Sequence, residues 1–333
     1  MTEISPLPLS SDVELVRRYG GVVSHAALDP SRSTFRAAGI DGLVGFLVVR
    51  RCAVVLGDPV CAPEQKAPLA DAFAAHCAGK GWSILYANAS AAMQAYSRER
   101  GYASMEFASL LLADPRNDPE AGHAGRHLRQ HLNHTRRMGV TVHEYLGEEP
   151  PDTRLEAQAQ AACEGWLADR RGPQMYLGRP RLFEDREGRR WFVAEHGGSV
   201  VGFLSMLRVS CVEGCSLVNI VFSSPAAPPR TNELMVSAAL RALREEGADL
   251  VCLGVGPLAA LGRIEGCGGA VTECLSRVLY RWVAGRMHLH GKTVFWEKFR
   301  VTRVEPLYLL FQSPRIGLGE FNALLRAFHF SVA

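Results

Sequence analysis

Glu233 stands near the start of a stretch, Thr231–Glu246, whose apolar residues Val236, Ala239, Leu240 and Leu243 recur at helical spacing and which Gly247 ends. A carboxylate in a first helical turn can move a proton or hold an ammonium, next to backbone N–H groups left free for an anion or an oxyanion. Its other reading is a charge that merely offsets the helix dipole. Thr231 is the expected N-cap, and Arg230 and Asn232 flank it as candidate substrate contacts. A second set lies upstream. Arg126 to Arg137 holds four arginines, three histidines and no acid. Arg126, Arg129, Asn133, Arg136 and Arg137 fall on one helical face, a pattern that suits phosphate oxygens or, more simply, a solvated basic face. His127, His131 and His134, interleaved with them, read as surface residues. Tyr176, Trp166 and Trp296 are candidates to stack on a nucleobase, with burial in the core as the alternative.

The elements that must position these groups fill a chain of 333 residues with 47% hydrophobic and 21% charged content, enough for two cores and too apolar for disorder. No apolar run approaches the ~20 residues of a membrane span, and Met1–Ser11 lacks the basic-then-apolar order of a signal peptide. A cytoplasmic location is expected. Nine cysteines form no CxxC; Cys211 and Cys215 lack a partner pair for a four-ligand zinc site, so no metal is expected. A net charge of only +3 leaves the Arg126–Arg137 patch as a local feature, suited to a partner that presents phosphates at one place.

Turn chemistry divides the first half into helix at Val13–Tyr19, strands at Leu43–Val49 and Cys52–Leu56, helix at Pro68–Gly79, strand at Trp82–Ala87, helix at Ser90–Arg100 and strand at Met105–Leu112. His123–Met138 reads as a helix and Val140–Tyr145 as a strand. Leu146–Asp152 reads as a linker, dividing the chain into 1–150 and 151–333. The second half gives helix Leu155–Asp169, strands Trp191–Glu195, Val200–Leu207 and Ser216–Phe222, a proline-rich loop, the Thr231 helix and strand Asp249–Leu253. Hairpin, strand, loop, helix and strand in that order form the core of a GNAT-type acyltransferase. The expected class is α+β: two tandem GNAT-like domains, each a mixed sheet flanked by helices, the second catalytic. Phe321–Phe330 is amphipathic and suits a membrane, a partner or its own sheet.

Short pieces in shared order carry a resemblance over about residues 27–310. They include Val55-Leu56-Gly57-Asp58-Pro59, the Leu128–Gly139 helix, Tyr176-Leu177-Gly178, Val201-Gly202-Phe203, Thr231-Asn232-Glu233-Leu234, Leu253-Gly254-Val255-Gly256-Pro257, Lys298-Phe299 and Glu305-Pro306-Leu307-Tyr308. The chain resembles the C-terminal catalytic region of the phosphatidylglycerol lysyltransferase family. That resemblance implies an aminoacyltransferase that takes an amino acid from aminoacyl-tRNA and needs no cofactor, because the donor ester is already activated. It marks Lys298 as a candidate catalytic residue beside Glu233, which would be base or ammonium ligand. Arg126, Arg129, Arg136 and Arg137 become candidate tRNA contacts, and Tyr176 a candidate substrate contact. Lys292, His288 and His290 form a further polar cluster.

Two departures bear on the acceptor. Asn219 and Phe222, candidate substrate contacts, stand where lipid-using members carry an Asp and an Arg, and Trp296-Glu297-Lys298-Phe299 keeps only the second lysine of a Lys-x-Lys-Phe run. With no membrane region in the sequence, they favour a soluble small-molecule acceptor, such as a hydroxyl, hydroxylamine or amine in natural-product biosynthesis, with serine among the candidate amino acids. Peripheral membrane contact stays open, and aminoacylation of phosphatidylglycerol is the alternative. An acetyl-CoA-dependent GNAT reaction is the second alternative. Its pyrophosphate loop matches only Arg98-Glu99-Arg100-Gly101-Tyr102-Ala103, at a helix end, whereas phosphate needs a helix start.

Overall fold

The hairpin after the first apolar run turns on Arg50 and Arg51, both at positive φ (47° and 66°), the backbone that a two-residue hairpin demands and that side chains usually avoid. The computed structural model describes residues 11–147, 150–169, 182–183, 186–208, 215–286, 294–312 and 318–328. The first half runs α1 (Asp12–Tyr19), β1 (Ser33–Phe35), β2 (Gly42–Val49), β3 (Cys52–Leu56), β4 (Val60–Cys61), α2 (Lys66–Lys80), β5 (Ser83–Ala89), α3 (Ala91–Glu99) and β6 (Ala103–Ala113). Then follow α4 (Arg126–Arg137), β7 (Thr141–Tyr145), α5 (Thr153–Asp169), β8 (Arg189–His196), β9 (Ser199–Arg208) and β10 (Ser216–Ser223). The rest is α6 (Thr231–Glu245), β11 (Val251–Pro257), β12 (Ile264–Glu265), α7 (Ala270–Arg286), β13 (Val301–Phe311) and α8 (Leu318–Ala327). Local signals set several ends. Ser11 and Glu14 form a capping box on α1, and Ser90 caps α3.

The described strands join one sheet in the order β1-β2-β3-β5-β13-β6-β11-β10-β9-β8-β7, with β12 on β6 and β4 on β2. The order contains a repeat. In each half an antiparallel hairpin, β2-β3 or β9-β10, leads through a crossover helix, α2 or α6, to a parallel strand, β5 or β11. Each half then gives its last strand to the other: β5 pairs with β13, and β11 pairs with β6. This is the expected α+β architecture of two similar units, with helices on both faces. Hydrogen bonding crosses the expected division at residue 150, since β7 pairs with β8 and β13 lies between β5 and β6.

The two halves differ in one respect that matters for a site. β3 and β5 stay paired from Cys52↔Ser83 to Leu56↔Ala87. β10 and β11 pair only at Ser216↔Val251 and Leu217↔Cys252, although each strand runs on. Both carry a bulge where they part, between Val218 and Ile220 and between Cys252 and Gly254. The sheet is thus closed in the first half and open in the second. α6 and α4 cover one face of the second half, burying Leu128, Leu132, Leu234, Met235, Val236, Ala239, Leu240 and Leu243. On the opposite face α5 packs over Trp191, Phe203 and Phe222. α8 buries Ala323, Ala327 and Phe328 with the β3 and β5 residues Val54, Leu56, Leu85 and Ala87, so the C-terminal amphipathic segment packs on its own sheet.

Candidate active site

Arg230 is the N-cap residue before α6; it sits at φ 69° and gives no side-chain cap. A non-glycine residue in that region is held there by its surroundings. Its guanidinium Nη1 donates to Glu233 Oε1 at 2.8 Å, and Lys298 Nζ donates to the same oxygen at 2.8 Å. Glu233 is buried, with 7% of its side chain exposed. Burial alone raises its pKa, but Lys298 and then Arg230 outweigh that and hold the carboxyl below its ordinary value of 4.5. Thr231 is buried and donates to the Pro228 carbonyl at 2.7 Å, so it lies inside the helix as its first residue, not at the N-cap. Asn232 follows, its Oδ1 buried without a hydrogen-bond partner among the described residues.

α4 forms the facing wall. Leu128, Leu132 and Thr135 are its buried seam, at i, i+4 and i+7. The Thr135 hydroxyl reaches the Pro229 carbonyl at 2.9 Å, which ties α4 to the proline-rich loop before α6. His127, Leu128, His131, Arg230, Glu233 and Lys298 line a pocket of ≈ 130 Å³. One carboxylate between two cations leaves one net positive charge in it, so the pocket favours an anion.

The third wall follows a helical turn at 294–297. Phe295, Trp296 and Phe299 pack on one another, with centroids 4.7 Å apart for Phe295–Trp296 and 5.6 Å for Phe295–Phe299. Lys298 Nζ lies 5.4 Å from the Phe295 ring. Arg300 Nη2 donates to the Ala121 carbonyl at 2.6 Å, joining this segment to the loop before α4. Glu120 in that loop gathers the other helices. It accepts both Arg136 Nη atoms at 3.1 Å and the Ser237 hydroxyl at 2.5 Å, with Arg241 at 3.5 Å.

The structure therefore brings Glu233, Lys298, Arg230 and the α4 face together, though Lys298 is 65 residues from Glu233. The basic face divides in two. Arg136 is held by Glu120 and Asn133, and Arg129 donates to the carbonyls of Glu120 and Gly122. Arg126 and Arg137 are exposed. Phe222 is corrected from a substrate contact to a core residue. It is 0% exposed and stacks between Trp166 and Phe203, at 5.1 and 5.7 Å. Trp166 is half-buried and engaged in that stack through Phe222. Asn219 is exposed at the β10 bulge. Tyr176, Lys292, His288 and His290 lie outside the described residues. Two pocket residues went unread as site residues: His127 and His131. Their i, i+4 spacing, on the rim of the Leu128/Leu132 seam, was the available signal.

A family model described as phosphatidylglycerol lysyltransferase, C-terminal, matches residues 13–311. The lysylphosphatidylglycerol biosynthesis bifunctional protein LysX of Mycobacterium marinum is 30% identical over 271 residues, 75% of this chain and 24% of that protein. The homonymous protein of Mycobacterium ulcerans is 29% identical over the same length. The chain thus spans about a quarter of the length of the curated relatives it matches. Among solved structures, the C-terminal domain of a putative lysylphosphatidylglycerol synthetase from Agrobacterium fabrum superposes with a TM-score of 0.75 at 18% identity, covering 96% of this chain and 93% of that one. The L-PGS structure from Bacillus licheniformis does so with a TM-score of 0.75 at 20% identity, covering 95% and 94%. Those two similarities establish the shared fold. With the match spanning residues 13–311, the chain belongs to the phosphatidylglycerol lysyltransferase C-terminal family.

Proposed function

We propose that this chain transfers an aminoacyl group, lysyl first, from charged tRNA to a glycerol hydroxyl of phosphatidylglycerol. The observation that carries the reading is the buried Glu233 carboxylate shared by Arg230 and Lys298, in a small pocket of net positive charge rimmed by His127 and His131. Both substrates carry phosphodiesters, which such a pocket attracts. The relatives, lysylphosphatidylglycerol biosynthesis proteins by name, favour a lipid acceptor over the soluble one expected from sequence. The Phe222 departure loses its force as well, because that side chain is sealed in the core.

In the reaction the acceptor oxygen attacks the ester carbonyl. The new C–O bond forms as the bond to the tRNA ribose oxygen breaks, and one proton passes from acceptor to leaving hydroxyl. Glu233 is a poor base for that proton, since two cations hold it ionised. Its role is to fix Arg230 and Lys298. Imidazole is the side chain suited to carry a proton near neutral pH, and His127 and His131 stand at the pocket. Lys298 faces the charge that develops on the carbonyl oxygen. Arg126 and Arg137, exposed on α4, are the tRNA contacts on this reading, with Arg129 and Arg136 shaping the helix that presents them.

The test incubates the chain with radiolabelled lysyl-tRNA and phosphatidylglycerol and follows label into lipid. Transfer is expected, RNase abolishes it, and His131→Ala lowers kcat by roughly 10²-fold or more. Label passing to a water-soluble hydroxyl or amine and never to lipid restores the soluble acceptor. Transfer that ignores RNase and requires acetyl-CoA ends the tRNA reading.

A further inference from the structure

α7 is amphipathic in the inverse sense. Its inward side is polar: the Tyr280 hydroxyl lies 2.8 Å from the carbonyls of both Phe107 and Leu258, and Arg277 donates to the carbonyls of Leu261 at 2.5 Å and Gly262 at 3.1 Å. Its outward side is apolar. Val271, Leu275, Val278, Leu279 and Trp282 are 75%, 65%, 51%, 41% and 64% exposed. At i, i+4, i+7, i+8 and i+11 they make one continuous stripe. Half of the exposed large hydrophobics among the described residues therefore lie on this one helix, a concentration that marks a contact surface.

We propose that this face of α7 docks flat on an anionic lipid bilayer. The choice of a lipid surface rests on the phosphatidylglycerol reading above and on charge. Glu273 is the only acid in Ala270–Arg286 and is paired with Arg277 at 2.9 Å. Arg281 is exposed beside Trp282 and has no ion-pair partner among the described residues. The stripe is thus edged by positive charge, which complements phosphodiester headgroups and repels a second copy of the same face. Tryptophan within such a stripe suits the interfacial layer. A helix of 17 residues is short of the ~20 needed to span the hydrocarbon and lies in the interface plane instead. Tyr280 fixes α7 to Leu258, one residue past the end of β11, the strand that borders the opening in the sheet. Docking there sets that opening against the headgroups.

The test sediments the full chain with vesicles of phosphatidylcholine alone and of phosphatidylcholine mixed with phosphatidylglycerol. The chain should partition onto the mixed vesicles. Leu275→Ser with Trp282→Ser should lower that partition by about tenfold or more, and Arg281→Glu by about fivefold. All three positions are exposed, so melting should be unchanged. In transfer assays the double variant should lose activity on vesicle phosphatidylglycerol and keep it on a short-chain, monomeric form. Wild-type chain that ignores both vesicles overturns the proposal. So does a stable dimer in solution that the double variant dissociates, because the occupant would then be a second copy. Vesicle binding that depends on Trp282, without transfer to any phosphatidylglycerol, supports the docking face and refutes the proposed function.

Discussion

At the scale of the residue, the Glu233 triad sets separable expectations for activity and stability. Lys298→Ala leaves Glu233 paired with Arg230 at 2.8 Å, so the fold should survive while kcat falls by roughly 10²–10³-fold. Glu233→Gln does the reverse to the charges. It leaves Arg230 and Lys298 converging on a neutral amide, which should lower stability by about 1–3 kcal/mol and turnover with it. Acid unfolding checks the same group. Glu233 and Glu120 both titrate below the ordinary 4.5 in the folded chain, so the unfolded chain binds more protons in the acid range. Their stabilisation is present above that ordinary value and is lost as the pH falls through the lowered ones. Melting followed from neutral to about pH 3 should show the loss, and the doubly substituted Glu120→Gln, Glu233→Gln chain should have a flatter acid limb. An unchanged limb would mean that neither carboxylate is paired in solution.

Glu233 was legible from its place near a helix start, and Lys298 from the resemblance alone. Their meeting was not legible, because a contact across 65 residues leaves no local periodicity. Phe222 was singled out by its position against the family's Asp and Arg, and matching positions carries no information on burial; the side chain is sealed in the core under α5.

Among the elements, α6 depends on close approach to the sheet, and Gly202 on β9 provides it. A Cβ there would lie 2.9 Å from Met235 Cε, 3.1 Å from Thr231 Cγ2 and 3.2 Å from Ala194 Cβ. The methionine end can move aside. Thr231 is fixed to the Pro228 carbonyl, so relief requires the start of α6 to shift, and Glu233 with it. Gly202→Ala should cost about 1 kcal/mol and Gly202→Val about 1–3 kcal/mol. Turnover of the valine variant should fall beyond what its loss of folded protein explains, since a displacement near 1 Å can cost about 10²-fold. Normal kcat with normal melting in Gly202→Val would show that α6 does not bear on that position.

Most strands of this sheet were legible from apolar runs and turns. β13 was not. Thr302, Arg303, Glu305 and Pro306 interrupt its alternation, and a proline argues against a central strand, yet Pro306 pairs with Ser109 in mid-sheet. α7 was legible in principle, from Val271, Leu275, Val278, Leu279 and Trp282 at helical spacing; that this stripe faces outward was not, because periodicity fixes a face and not its direction.

For the whole molecule, the exchanged last strands decide whether the two halves can exist apart. β13 supplies the edge partner of β5 through Tyr308↔Ala89 and Phe311↔Leu85. It also carries Leu309, Leu310 and Phe311, all buried in the cores of the first half. At about 1.5–3 kcal/mol for each fully buried large apolar side chain, their removal takes away roughly 5–9 kcal/mol. That is comparable with the entire stability of a typical domain, about 5–15 kcal/mol. It also bares the backbone of β5 as an unpaired edge. A fragment of residues 1–150 expressed alone should therefore fail to fold or should aggregate, whereas co-expression with 151–333 should recover a soluble pair. The intact chain should unfold in urea in one transition, because each half's sheet is completed by the other. A fragment 1–150 that melts cooperatively by itself would show that the first half closes its sheet without the borrowed strand. The halves could then be prepared apart, and transfer should appear only when they are mixed, because His127 and His131 come from 1–150 and Arg230, Glu233 and Lys298 from 151–333.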